Sequence, residues 1–245
     1  MATLRARALI LLRIATCTVV IAGTCTVVLT SCASGGPSGG FEGDLKAFPT
    51  DSLSDWKSYG DGIAAITVVS EIAEPPSPEV VANGEGLVGR HVAIHVDRLF
   101  WQSPARTVPS SISIRAWGWI VRDGGNRTPA YAQDDVRLEV DHSYLVALAY
   151  WDDEWITVPG GLPFDDGLVG KGEWRGKNSS STSTRKHPGI ADLVGKNADG
   201  VQAGIDAARP DPIAERFRDL DPEKRWAKVA SARESSLAPP QTPTH

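Results

Sequence analysis

The chain has 245 residues, 41% hydrophobic and 22% charged, which is enough apolar material for one sizeable core and excludes disorder throughout. Its formal charge is −5, but Arg5, Arg7 and Arg13 are the only charged residues ahead of Glu42; setting these three aside leaves 22 bases against 30 acids, a balance of −8. So acidic a body argues against nucleic acid as the partner, because neutralising phosphates takes a local excess of Lys and Arg.

Residues 1–7 form a basic start, and Ile14 to Ser31 is an uncharged run rich in Val, Ile and Thr, the order of an export signal. The run ends in Leu29-Thr30-Ser31-Cys32, which resembles the lipobox of bacterial lipoproteins. That resemblance implies a signal peptide over 1–31 and lipid (palmitate and related acyl chains) on the Cys32 thiol. The protein would then sit on the extracytoplasmic face of the cell membrane. Residues 32–54, beginning with the small Ala33-Ser-Gly-Gly-Pro-Ser-Gly-Gly string, read as a flexible tether and entry segment. Two other readings stay open: an uncleaved anchor, since the run from Ile14 to Ser31 is just long enough to span a bilayer, and ordinary signal-peptidase cleavage. Cys17 and Cys25 lie inside the run, so the mature chain keeps Cys32 alone, forms no internal disulfide and depends on its core.

From Ile63 onward, period-two patterning predicts a β domain over 55–175. Strands are expected over Ile63–Ile72, Leu87–Trp101, Ser111–Arg122, Val136–Val140 and Tyr144–Tyr150, with a short sixth over Glu154–Val158. Glu74-Pro75-Pro76-Ser77-Pro78, Asp123-Gly124-Gly125-Asn126 and Pro159-Gly160-Gly161 punctuate them. Residues 176–188 read as a polar linker, 189–232 as helical and 233–245 as a disordered tail. Ile190, Val194, Val201, Ile205 and Ala208 recur at helical spacing. Asp211-Pro212 and Asp221-Pro222 each match an N-cap followed by proline, and should start two short helices. The expected architecture is mainly β: a small OB-like barrel of five or six strands with C-terminal helices packed on or near it.

The stretches Trp56-Lys-Ser-Tyr-Gly-Asp-Gly-Ile, read as a strand, His91-Val-Ala-Ile-His-Val-Asp-Arg-Leu-Phe-Trp and Leu138-Glu-Val-Asp-His-Ser-Tyr-Leu-Val together resemble the netrin-like or metalloproteinase-inhibitor-like OB barrels. They are also similar to secreted lipoproteins of actinobacteria. The likeness covers about 55–175 and implies the barrel, not the inhibitory mechanism. That mechanism uses the free amino end of a mature N-terminal Cys and disulfides that brace the barrel; here Cys32 would be acylated and the disulfides are missing.

Apparent catalytic motifs dissolve on context. Gly36-Pro-Ser-Gly-Gly40 matches G-x-S-x-G but lies in the tether, without the strand and helix that a nucleophile elbow needs. Gly84-Glu-Gly-Leu-Val-Gly89 matches G-x-G-x-x-G but leads into a strand, so no helix N-terminus is there to hold a pyrophosphate. His91 and His95 share a strand face at a separation of roughly 13 Å, too far for one metal. Asp152-Asp153-Glu154 and Asp165-Asp166 lack ordered calcium-loop spacing and read as solvated loops. No catalytic residue, metal or cofactor is assigned.

The tryptophans are the most informative remaining feature. Strict alternation puts Ser113, Arg115, Trp117, Trp119 and Val121 on one face of the third strand and Ile112, Ile114, Ala116, Gly118 and Ile120 on the other. Large rings on a polar face need a cover, either the C-terminal helices or a ligand; alternatively, Gly118 marks a bulge that turns one ring inward. Trp101, Trp151 and Trp155 lie at strand ends, near the barrel rim. The candidate ligand-binding set is Trp117, Trp119, Arg115 and Trp101, for an envelope protein, peptide or glycan. The expected function is therefore a membrane-anchored binding module. Two alternatives are an envelope hydrolase, with His91, His95, His142 and Asp97 as its best residues, and an assembly factor of an envelope complex.

Overall fold

A computed structural model describes residues 48–122, 125–131, 135–172 and 188–237. Cys32 with its leader and tether, nearly all of the predicted linker and the last eight residues lie outside this set. Helix α1 (Leu53–Tyr59) stands where a strand was expected near Trp56. Ser52 and Asp55 cap it reciprocally: the Ser52 side chain accepts from the Asp55 N–H, while the Asp55 carboxylate takes the Ser52 hydroxyl and the Asp51 N–H. Trp56 and Tyr59, three residues apart on one helix face, are both buried.

Six strands follow: β1 (Gly62–Ala73), β2 (Gly86–Gln102), β3 (Ser111–Arg122), β4 (Asn126–Pro129), β5 (Ser143–Trp151) and β6 (Glu154–Pro163). They form one antiparallel sheet in the order β4-β3-β2-β1-β5-β6. Four reversals separate β3 from β6, so the two run in the same direction, and β6 curls round to approach β3. The result is a half-barrel with an open seam between them. It is the mainly β architecture expected from the patterning.

Two further expectations about strands fail. Residues 136–140 carry no strand. They run as an irregular segment beside the seam, with Val136 packed against Gly161, where a Cβ would meet it at 2.9 Å. The fourth strand is instead β4, which starts at Asn126, the last residue of the predicted turn, and continues through residues for which no strand was expected. Pro159-Gly160-Gly161 does not end β6 either; these three residues form a bulge opposite the single Val146 of β5, between the pairs Leu145↔Leu162 and Ala147↔Val158.

Helix α2 (Pro78–Asn83) fills the proline-rich connection between β1 and β2, capped by Ser77 and closed by Gly84 at φ 70°. After a 3₁₀ turn at Asp165–Gly167 come α3 (Pro188–Ala191), α4 (Ala198–Ala207), α5 (Pro212–Glu215) and α6 (Pro222–Leu237). The single helix expected from Ile190 to Ala208 is broken between α3 and α4, where Gly195 adopts φ 79° and Asn197 caps a fresh start. Asp211 caps α5 as its Asp-Pro pair predicts. Helix α6 runs well past Ser231, into residues read as tail.

The sheet has a core on each face. Ile66, Val68, Val92, Ile94, Ile114 and Val146 fill the concave side. On the convex side Leu145, Ala147 and Val158 pack against α1 and against Val201, Ile205 and Val229 of the C-terminal helices. The helices therefore dock on the barrel. A buried ion pair fixes them there: Arg225 Nη2 lies 3.4 Å from Asp61 Oδ1, both side chains are about 1% exposed, and Nη1 donates to the Ser58 carbonyl at 2.8 Å. Lys57 completes the attachment by donating to the carbonyls of Ile205 and Ala208 at the end of α4.

Candidate functional site

Two bulges decide what lies around the seam. Between Trp119↔Val88 and Ala116↔Arg90, β3 places two residues, Trp117 and Gly118, opposite the single Gly89 of β2. Residues directly opposite each other share a sheet face. The extra residue therefore shifts the phase of β3: Ile112, Ile114 and Ala116 share the inner face, but so then do Trp119 and Val121. Gly118 permits the close approach, because a Cβ there would sit 2.2 Å from the Val88 carbonyl oxygen. A second bulge, at Val69 of β1, moves Glu71 onto the inner face opposite Val92.

The inner face thereby acquires a charged cluster. Arg90, fully buried, donates from Nε to the Trp117 carbonyl at 2.7 Å, from Nη2 to the Leu138 carbonyl and from Nη1 to Glu71. Arg137 donates from Nη1 to the carbonyls of Trp117 (2.7 Å), Gly118 (2.6 Å) and Ala130 (3.0 Å), and from Nε to Glu139 at 2.9 Å. Two guanidinium groups thus do for this part of the β3 edge what a neighbouring strand would do, which blunts it against further pairing. Burial, with Arg90 close by, pushes the Arg137 pKa below its ordinary value.

Over the seam runs a groove of about 710 Å³. One wall carries Arg115, Ala116 and Trp117 of β3, and the other carries Glu154, Ile156 and Thr157 of β6. Trp151 and Phe48 close one end, their rings 6.0 Å apart and edge-on. Glu74, from the β1–α2 connection, leans across the wall and takes Arg115 in both oxygens, Oε1 at 2.7 Å from Nε and Oε2 at 3.0 Å from Nη2. The Arg115 hydrogen bond holds the Glu74 carboxyl below its usual range and raises Arg115 in return. Gly89 makes room for this pair, since a Cβ would lie 2.4 Å from Glu74 Oε2.

Asp135 lines the same groove beside the β6 bulge. Its carboxylate accepts the N–H of Val136 at 2.9 Å and that of Gly160 at 3.3 Å. Loss of solvation outweighs these donors and pushes its pKa up to about 7.

Of the four candidate ligand-binding residues, Trp117, Trp119, Arg115 and Trp101, the structure brings two together. Trp117 and Arg115 line the groove. Trp119 does not: the bulge turns it to the opposite face, where it packs with Val80, Val88 and Val121 between Arg137 and Arg127, their guanidinium carbons 5.5 and 6.0 Å from its ring. Trp101 is also elsewhere, packed into the convex core with Arg218 5.2 Å and Lys57 5.9 Å from its ring. Trp155 turns into the barrel against Tyr150, whereas Trp151 joins the groove. Sequence reasoning missed Arg90, Arg137, Asp135, Glu71 and Ile156.

Among the described residues no hydrogen bond or ion pair joins the four residues of the hydrolase reading to one another, although His95, Asp97 and the chain at His142 all lie near Thr67. His91 Nε2 lies 3.3 Å from Glu74, His142 Nδ1 lies 2.8 Å from Asp165, and Asp97 accepts the Thr67 hydroxyl at 2.7 Å. His95 sits opposite Thr67 and Ser111 in the sheet. Among the described residues no three His, Cys, Asp or Glu side chains converge as metal ligands. Asp152 and Asp153 both adopt positive φ (51° and 64°) as the two-residue turn between β5 and β6. In comparisons with known proteins, no family model, curated protein or solved structure matches the chain.

Proposed function

We propose that this chain is an exported envelope protein, acylated at Cys32 and held on the extracytoplasmic face of a cell membrane, that works by binding a ligand in the seam groove. The observation that carries the reading is the groove itself, a 710 Å³ cleft where Trp117, Trp151 and Ile156 provide apolar contact beside paired charged groups. A concave site with apolar walls and a few placed polar groups is the usual form of a binding site. The strand order, with β6 returning beside β3, resembles that of an OB barrel, a partly open architecture used elsewhere for oligomeric ligands. The leader and the Leu-Thr-Ser-Cys sequence support the anchor. Such a body, reaching from a bilayer on a small-residue tether, meets ligands of the envelope, whether protein, peptide or glycan.

Photo-cross-linking in whole cells tests this. A benzophenone side chain replacing Ile156 should capture an envelope component, whereas the same group at Lys228, on the exposed side of α6, should capture none. Equal capture at both positions, or none at Ile156, would refute the groove as the site.

A further inference from the structure

We infer that the seam groove has an occupant of its own: the entry segment, residues 41–47, docks in it as an extra strand along the edge of β6, and a ligand competes with it. The inference goes beyond the proposed binding function and concerns the same groove. The place where the segment ends is the first support. Residues 41–47 lead into Phe48, which is 3% exposed and whose ring closes one end of the groove beside Trp151, 6.0 Å away. Seven residues of extended chain span about 23 Å and the β6 wall over residues 154–159 about 20 Å, so the segment is long enough to follow that wall throughout. Its pattern is the second. The small-residue string stops at Gly40, and Phe41, Gly43, Leu45 and Ala47 then alternate with Glu42, Asp44 and Lys46. Extended, such a chain has one apolar face and one charged face, and it needs an apolar surface on one side with water on the other. A cleft lined by Ala116, Trp151 and Ile156 supplies both.

The backbone offers a matching edge. Strand β6 is last in the sheet order, so along residues 154–158 every second N–H and C=O points away from β5 and into the seam. Across the seam the Trp117 and Gly118 carbonyls of β3 are already taken by Arg90 and Arg137, so an entering strand pairs with β6. The segment reaches Phe48 at the Trp151–Glu154 end of β6, which makes that pairing antiparallel. Charge agrees with this direction. Asp152 and Glu154 line the groove at that end and form no ion pair with a described residue; Lys46, two positions ahead of Phe48, supplies one. Arg115, whose side chain is 64% exposed despite its pair with Glu74, is left for Glu42 or Asp44. A strand held by so few apolar side chains opens readily, and a ligand binds with an apparent affinity reduced by the fraction of the time the strand is docked.

Photo-cross-linking of the protein purified in detergent, with nothing added, is the test. A benzophenone side chain at Ile156, or separately at Thr157, should join within the chain to a peptide containing residues 41–47, identified by mass spectrometry, whereas the same group at Lys228 should not. Replacing Phe41 and Leu45 together by Asp should lower the yield of that product by about tenfold or more, because both apolar contacts are lost, with an unchanged circular dichroism spectrum. In whole cells the same double replacement should raise capture of the envelope component. The inference is overturned if neither label reaches residues 41–47, if the double replacement leaves the yield unchanged, or if capture in cells, where it occurs, is no higher for the variant. A product of twice the chain's mass would overturn it as well, by making a second copy the occupant. The intramolecular product without any envelope capture would refute the ligand reading and leave the docked strand standing; envelope capture without the intramolecular product would do the reverse.

Discussion

Replacing Asp135 by Asn isolates the one carboxyl that the groove holds in an unfavourable state. Its pKa rises from 3.8 to about 7 on folding because burial disfavours the charge more than the N–H groups of Val136 and Gly160 favour it. Between those two values the folded chain keeps a proton that the unfolded chain has released. This group's contribution to stability is therefore fully present below pH 4, is lost as pH rises toward 7, and is flat above that. A shift of about 3 units at roughly 1.4 kcal/mol each sets a ceiling of about 4 kcal/mol. Water in the open groove lowers the realised effect to about 1–2 kcal/mol. Asn keeps the acceptor oxygen in place and does not titrate. Urea unfolding of both proteins at pH 4, 5.5, 7 and 8.5 should show the variant gaining on the parent by that amount between pH 4 and 8.5. Parallel stability profiles, or a parent that gains on the variant as pH rises, would refute the reasoning.

Other consequences follow from single contacts. Gly118→Ala puts a methyl carbon 2.2 Å from the Val88 carbonyl, so the bulge must open; a loss of about 2 kcal/mol or more in urea unfolding is expected, together with loss of groove binding. Arg225→Met leaves Asp61 buried with, among the described residues, the Tyr150 N–H and Arg106 at 3.8 Å as its partners, and should cost about 3–5 kcal/mol, whereas pairing it with Asp61→Asn should recover part of that loss in a double-mutant cycle. Cys32→Ala should move the protein from the membrane pellet to the soluble fraction of lysed cells, and the parent's N-terminal peptide should carry acyl mass; an unmodified Cys32 peptide in a membrane-bound parent would contradict the anchor.

The strands were legible because their faces are amphipathic or wholly apolar over many residues, and β3 falls on Ser111–Arg122 as its alternation predicts. What alternation cannot carry is a change of phase. One extra residue at Trp117–Gly118 reverses the face of Trp119, and one at Val69 brings Glu71 to Arg90; neither Val69 nor its neighbours bear any mark of a bulge. Gly118 did bear one, as the only residue without a side chain within the strand. Arg90 was also readable, for it occupies the position between Val88 and Val92 that the apolar face requires, and an arginine there must find buried partners. Those partners come from Trp117, Leu138 and Glu71, and no local pattern links positions so far apart in the chain. Residues 136–140 look like a strand because Val136, Leu138 and Val140 alternate; the long side chain of Arg137 satisfies the β3 carbonyls that a ladder would otherwise take. Helix α1 was lost for a different reason, since its capping residues lie in a short, mixed segment where propensity is weak.

The central claim is that ligand lies over the seam between β3 and β6. Hydrogen exchange of the mature domain, measured with and without a soluble extract of the producing cell's envelope that holds its proteins, peptides and glycans, tests it most directly. Slowed exchange confined to Arg115–Gly118 and Glu154–Gly160 is the predicted result; protection restricted to the C-terminal helices, or no protection anywhere, would contradict it.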